Sequence, residues 1–329
     1  MPCRRKAVDV VGNANTPLKM RNHTIIVLFI VTLNLMCSDK KIADEGFIKV
    51  EGGKVWYKIF GSAKKKTPVL LLHGGPGFPS DYLKSLQELA ADRPVIFYDQ
   101  LGCGRSDKPN DTTLWNIKRF AEELSKLRTE LELDSIHLFA HSWGTMLAAE
   151  YISTRPQGIK SIIFSGPIFS TKQHLQNVNQ IKLKLPSYIR DTLLFHEKNG
   201  TIQSDAYVKA YDEYSKIHWC KIFPYPKEIE ESLQLFGIKT FETMWGQYEF
   251  YCPGNLKDFE RTAVLKEIKV PTLFTCGRYD LITPESTGGY AKQIKGAEFV
   301  VFEKSAHMTM NEEPDTYVKI IRNFLNKSE

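Results

Sequence analysis

A buried strand running without interruption into a helix, with a serine at the join, constrains this chain more than any other feature. In Ser135–Tyr151, SIHLFAHSWGTMLAAEY, Ile136 to Ala140 make an apolar run of strand length, and the residues from Gly144 onward are helix formers with small side chains at Ala148 and Ala149. Ser142 stands between them. Small residues two before and two after it, Ala140 and Gly144, let the turn close sharply. Such a turn carries the hydroxyl to the carboxyl end of a parallel strand, in front of a helix N-terminus whose free N–H groups favour negative charge. That is a nucleophile's position. An ordinary strand-to-helix turn reads the same locally, and alanine replaces the first glycine of the usual G-x-S-x-G, so the partners of Ser142 decide.

Strands alternate with helices on both sides of this join, which predicts an α/β fold, a doubly wound and mostly parallel sheet. Phe47–Val50 and Lys54–Phe60 flank Gly52-Gly53 as a β-hairpin. Val69–His73 is a continuous apolar run, expected of a strand buried on both faces, and it ends in Gly74-Gly75-Pro76-Gly77-Phe78. Three glycines at a strand's carboxyl end allow close approach of backbone to a ligand. A helix over Ser80–Asp92, a strand over Pro94–Asp99, a helix over Asn116–Leu133 and a strand over Ile159–Ser165 follow. At Gly166-Pro167 the rhythm breaks. Residues 168–255 predict four or five helices inserted over the sheet as a cap, with Tyr211, Tyr214 and Trp219 read as cap core. The alternation resumes with a strand at Val270–Cys276, a helix at Pro284–Ile294, a strand at Glu298–Phe302 and a helix at Pro314–Leu325. The expected division is therefore a leader over 1–37, a core over 38–167 and 256–329, and the cap between.

The chain of 329 residues carries a net charge of +6, but residues 1–36 hold five basic side chains against Asp9, which leaves +2 for the rest and predicts no nucleic-acid surface. Ile25–Met36 is uncharged and mostly apolar, follows Arg21, and has the length of a signal-peptide core rather than a membrane span. It predicts export, and Met20-Arg21 would begin a signal of ordinary length. Cys37 resembles the lipidated cysteine of a bacterial lipoprotein signal, with Met36 departing from the small residue that pattern prefers; both anchored and unanchored readings stay open. Cys103, Cys220, Cys252 and Cys276 fit no zinc spacing. They read as free buried thiols, with a Cys220–Cys252 pair as the alternative.

A serine hydroxyl needs a base, and the base needs a carboxylate to fix its tautomer. Asp280, after the strand ending at Cys276, and His307, after the strand ending at Phe302, stand in the chain order serine, acid, histidine of α/β-hydrolases. The oxyanion donors predicted are the N–H of Trp143 and that of Gly75 in the glycine loop. No metal site, phosphate loop or dinucleotide fingerprint is legible, so cofactor-free hydrolysis is expected. Together His73-Gly-Gly-Pro-Gly77, Asp99-Gln-Leu-Gly-Cys-Gly-Arg-Ser106, His141-Ser-Trp-Gly144, Gly277-Arg-Tyr-Asp280 and His307 resemble the prolyl aminopeptidase (proline iminopeptidase) family of serine peptidases, from about Phe47 to Leu325. The resemblance implies release of an N-terminal residue, often proline, from short peptides with a free N-terminus. It also implies that Glu249, in Met244-Trp-Gly-Gln-Tyr-Glu-Phe250, binds the substrate's α-amine, with Gln247 where the family has proline. A second carboxylate is expected nearby, and Glu213 is the candidate. The rivals are an amidase or small-ester hydrolase on the same triad, which would tolerate Glu249→Gln, and a binding protein on an inactive hydrolase fold. No protein partner is legible.

Overall fold

The computed structural model describes residues 42–329, and the leader, Cys3 and Cys37 lie outside them. The apolar runs of the sequence become eight strands: β1 Glu45–Val50, β2 Gly53–Phe60, β3 Val69–Leu72, β4 Val95–Tyr98, β5 Ile136–His141, β6 Ile159–Ser165, β7 Thr272–Gly277 and β8 Glu298–Phe302. They form one sheet in the order β1-β2-β4-β3-β5-β6-β7-β8. The pairs β1–β2 and β2–β4 are antiparallel and the others parallel. Val50 pairs with Gly53, so the hairpin turn is Glu51-Gly52, and Gly52 takes the positive φ of 87° the turn requires.

Strand side chains alternate between two apolar layers, as period two demands. Leu70 and Leu72 of β3, Ile96 and Tyr98 of β4, and Leu138 and Ala140 of β5 enter one layer. Val69, Leu71, Val95, Phe97 and Phe139 enter the other. Each large apolar side chain so buried stabilises the fold by roughly 1.5–3 kcal/mol before entropy is counted.

The helices are α1 Ile117–Glu130, α2 Trp143–Ser153, the cap helices α3 Thr171–Leu183, α4 Ser187–Lys198, α5 Asp205–His218, α6 Lys227–Gln234 and α7 Ile238–Met244, and then α8 Pro284–Ala291, α9 Thr309–Glu312 and α10 Pro314–Lys327. The five cap helices fall between β6 and β7. Residues 42–329 nonetheless form one compact unit, because Ile189, Leu193, Tyr207, Tyr214 and Trp245 of the cap join the same apolar cluster as α1 and α2. The predicted helix over Ser80–Asp92 is a 3₁₀ helix, Ser80–Ala91. Leu83, Leu86 and Leu89 recur every third residue, the period that a 3₁₀ helix turns to one face, and all three are buried. All four cysteines among the described residues are buried free thiols, so Cys220 and Cys252 do not pair.

Candidate active site

Ser142 sits where β5 gives way to α2, with φ 54° and ψ −122°, a conformation L side chains seldom hold. Its N–H donates to the Ser165 carbonyl at 3.0 Å. Gly144 is required by the crossing of α2 over β3: a Cβ there would collide with the Leu72 carbonyl oxygen and lie 2.8 Å from that of His73. Ala140 is fully buried in the ladder between Leu72 and Phe164 and has no positive φ, so alanine replaces the usual glycine without strain. The Trp143 indole turns into the core, packs edge-on to Phe120 and donates its Nε1–H to Gln100 Oε1 at 2.8 Å.

The loop after β3 comes up beside the serine. Gly75 holds φ 115° and Gly77 φ 85°; a Cβ on Gly77 would meet the Gly237 carbonyl oxygen at 2.7 Å. The Gly74 N–H is taken by Tyr82 Oη at 2.7 Å, whereas that of Gly75 has no partner among the described residues. The Trp143 N–H is the first of α2 and has no partner within the helix. Both predicted oxyanion donors therefore lie on the segments that flank Ser142. The neighbouring motif Asp99–Ser106 stiffens this region. Buried Asp99 accepts from Ser80 N and Oγ at 2.9 and 2.7 Å and from Arg105 N and Nη1 at 3.0 and 3.1 Å.

Asp280 and His307 meet on the loops after β7 and β8. His307 Nδ1 donates to Asp280 Oδ1 at 2.9 Å, both side chains are buried, and Ile282 N–H fixes the same oxygen at 2.8 Å. Burial disfavours the imidazolium, but the charge and hydrogen bond of Asp280, with Glu249 and Glu312 further off, outweigh it and raise the His307 pKa. Gly166, at φ 52°, leaves room for the pair: a Cβ there would meet His307 Cε1 at 2.9 Å. The Ser142 hydroxyl makes no hydrogen bond among the described residues and faces the same cavity as His307. A second histidine connects the loops. Because Tyr82 Oη already accepts from Gly74, its proton goes to His141 Nδ1 at 2.8 Å, which leaves His141 Nε2–H to donate to the His307 carbonyl at 3.1 Å. Burial and the nearby His307 push the His141 pKa well down, in keeping with this neutral tautomer.

The cavity in front of Ser142 has a volume of about 380 Å³. Phe78, Trp219, Leu233, Phe236 and Phe241 give it apolar walls, and two carboxylates, Glu249 and Asp212, reach it. Glu249 is held: its Oε2 lies 3.3 Å from Nε2 of buried His174, whose ring packs edge-on to Trp245. Glu213 does not line the cavity. It is half exposed and pairs with Lys216 at 2.5 Å, because α5 turns Tyr211, Asp212 and Ser215 inward, with Trp219 following at its C-cap, and leaves Glu213 about 100° round the helix. Tyr211 and Trp219 thus line the cavity instead of filling the cap core, whereas Tyr214 is core as predicted. Asp212 was recoverable from its helical phase with Tyr211, Ser215 and Trp219. His174 carried no sequence signal, since only tertiary packing brings α3 to Glu249.

A strained serine between strand and helix, with a buried Asp–His pair arriving from later strands, defines a serine hydrolase of the α/β type. Residues 67–314 match the family model described as alpha/beta hydrolase fold. Proline iminopeptidase of Heyndrickxia coagulans is 46% identical over 86% of this chain and 98% of its own length, and that of Clostridium botulinum is 36% identical over 87% and 99%. The crystal structure of proline iminopeptidase from Mycobacterium smegmatis superposes with a TM-score of 0.81 at 27% identity, covering 86% of this chain and 98% of the other. The chain belongs to the proline iminopeptidase family of α/β hydrolases.

Proposed function

We propose that this enzyme is a serine aminopeptidase that releases an N-terminal residue, proline foremost, from short peptides. The observation that carries the reading is the placement of two carboxylates, Glu249 and Asp212, on the cavity that Ser142 and His307 also line. An exopeptidase must recognise a charged terminus, and a partly desolvated carboxylate pair does so while penalising a substrate that lacks the charge. In this reading Glu249, oriented by His174, and Asp212 hold the terminal amine. Ser142 Oγ attacks the first peptide carbonyl while His307 Nε2 takes its proton, and Asp280 fixes the imidazole tautomer and stabilises the imidazolium. The N–H groups of Gly75 and Trp143 receive the oxyanion. His307 gives its proton to the leaving amine, and water then deacylates Ser142 by the same route.

Hydrolysis of prolyl, alanyl and leucyl arylamides and of a simple aryl ester by the full chain tests this, with Ser142→Ala as control. Prolyl arylamide turned over fastest, and nothing in the control, is the expected result; ester turnover without arylamide turnover would leave a general acyl hydrolase.

We further propose that the enzyme is exported. The apolar run Ile25–Met36 after Arg21 supports export, and Cys37 supports a lipid anchor at the new terminus. The N-terminal mass of protein recovered from cells tests both: loss of residues up to Met36 with an acylated Cys37 is expected, and an uncleaved N-terminus would contradict them.

A further inference from the structure

A file of aromatic rings runs from inside the cavity to the solvent: Phe78 meets Trp219 edge-on at 5.8 Å, Trp219 meets Tyr225 at 5.3 Å, and Tyr225 meets Phe223 at 5.6 Å. The first three line the cavity. Phe223 does not, and 63% of it is exposed. An exposed aromatic continuous with a catalytic cavity is the composition of a binding surface.

The position of the file tells which part of a substrate meets it. His307 must hand its proton to the leaving nitrogen, so the chain beyond the scissile bond departs past His307. The cap residue tied to that loop is Trp219, whose carbonyl accepts from Met308 N–H at 3.0 Å. Two neighbours fix the same cap segment: His218 Nδ1–H donates to the Tyr279 carbonyl at 2.8 Å, and Lys221 N–H donates to Glu312 at 2.7 Å. Trp219 and the rings after it are thereby held beside the acid and base loops. The charged end of the substrate is drawn elsewhere, to Glu249 and Asp212.

We infer that Trp219, Tyr225 and Phe223 form a subsite for the leaving peptide, which selects substrates whose second and third residues carry large apolar or aromatic side chains. An extended peptide advances about 3.3 Å per residue, so the ring-to-ring steps of 5.3 and 5.6 Å each correspond to one or two residues of the leaving chain. The inference rests on the aminopeptidase reading and names the substrate class of that same site.

The test compares kcat/KM for Pro-Leu-Phe amide and Pro-Gly-Gly amide in the full chain and in Phe223→Ala and Phe223→Trp, each normalised to turnover of prolyl arylamide, which counts folded active enzyme. The native chain is expected to favour Pro-Leu-Phe amide by about tenfold or more, given the worth of ring contacts and apolar burial. Phe223→Ala should cut that preference at least threefold and Phe223→Trp should retain it. A native ratio near one, or a preference that survives Phe223→Ala, overturns the subsite while leaving the aminopeptidase intact. Absence of prolyl arylamide turnover in the native chain overturns both.

Discussion

Holding Ser142 at positive φ costs on the order of 1–3 kcal/mol, and the surrounding contacts keep it there. What that strained residue can do depends on His307. With its pKa raised by Asp280, His307 is protonated and unable to act as base below a point above its ordinary 6.5. The kcat/KM profile should therefore fall on the acid side with an apparent pKa above 6.5, and Asp280→Asn should shift that limb downward while lowering kcat by about 10⁴. A limb at or below 6.5 in the native enzyme would contradict the role given to Asp280. Glu249→Gln should reduce kcat/KM on free-amine peptides by about a hundredfold and change aryl ester turnover by only a few-fold, since it removes a charge partner for the amine and nothing from the triad. Equal losses on both substrates would place Glu249 in the chemistry instead. At this scale the sequence was most legible where chain order limits the choices: Asp280 and His307 each follow a strand and meet at 2.9 Å. It misled at Glu213, because a one-residue error in helical phase exchanges a cavity carboxylate for a surface ion pair.

The elements were legible wherever side-chain period and burial agree. Every strand of the sheet came from an apolar run, and the cap came from the break in βα rhythm after β6. The helix over Ser80–Ala91 is legible but its 3₁₀ type is not, since buried Tyr82 and Leu86 stand four apart, as in an α-helix, while Leu83, Leu86 and Leu89 repeat every third residue. The joint that matters most is the crossing of α2 over β3. Gly144→Ala should destabilise the fold by about 1–3 kcal/mol, because the new methyl meets two backbone carbonyls that cannot swing aside. A denaturant melt measures it, and an unchanged midpoint would show that the elbow has more room than the structure gives. A drop in midpoint should come with a drop in kcat, as the same shift displaces Ser142 from the donors of Gly75 and Trp143.

Across the whole molecule, the cap and the sheet share one apolar cluster, so the enzyme should unfold the cap together with the core. The four thiols report on this. Cys103, Cys220, Cys252 and Cys276 are buried, and burial pushes Cys220 and Cys252, both outside the sheet, up to about 12. A thiol reagent without reductant should find these four cysteines unreactive in the native protein and all free after denaturation, and labelling of Cys220 or Cys252 alone under mild denaturant would show a cap that opens independently.

One cavity joins the nucleophilic Ser142 to the carboxylates of Glu249 and Asp212. The most direct measurement is kcat/KM for prolyl arylamide against its N-acetylated counterpart, in the native chain and in Glu249→Gln. Rapid cleavage of the free-amine substrate is expected, with loss of at least a hundredfold on acetylation and a much smaller acetylation penalty in the variant, because the carboxylate that discriminates has gone. Equal turnover of both substrates by the native enzyme would contradict this role of the carboxylates.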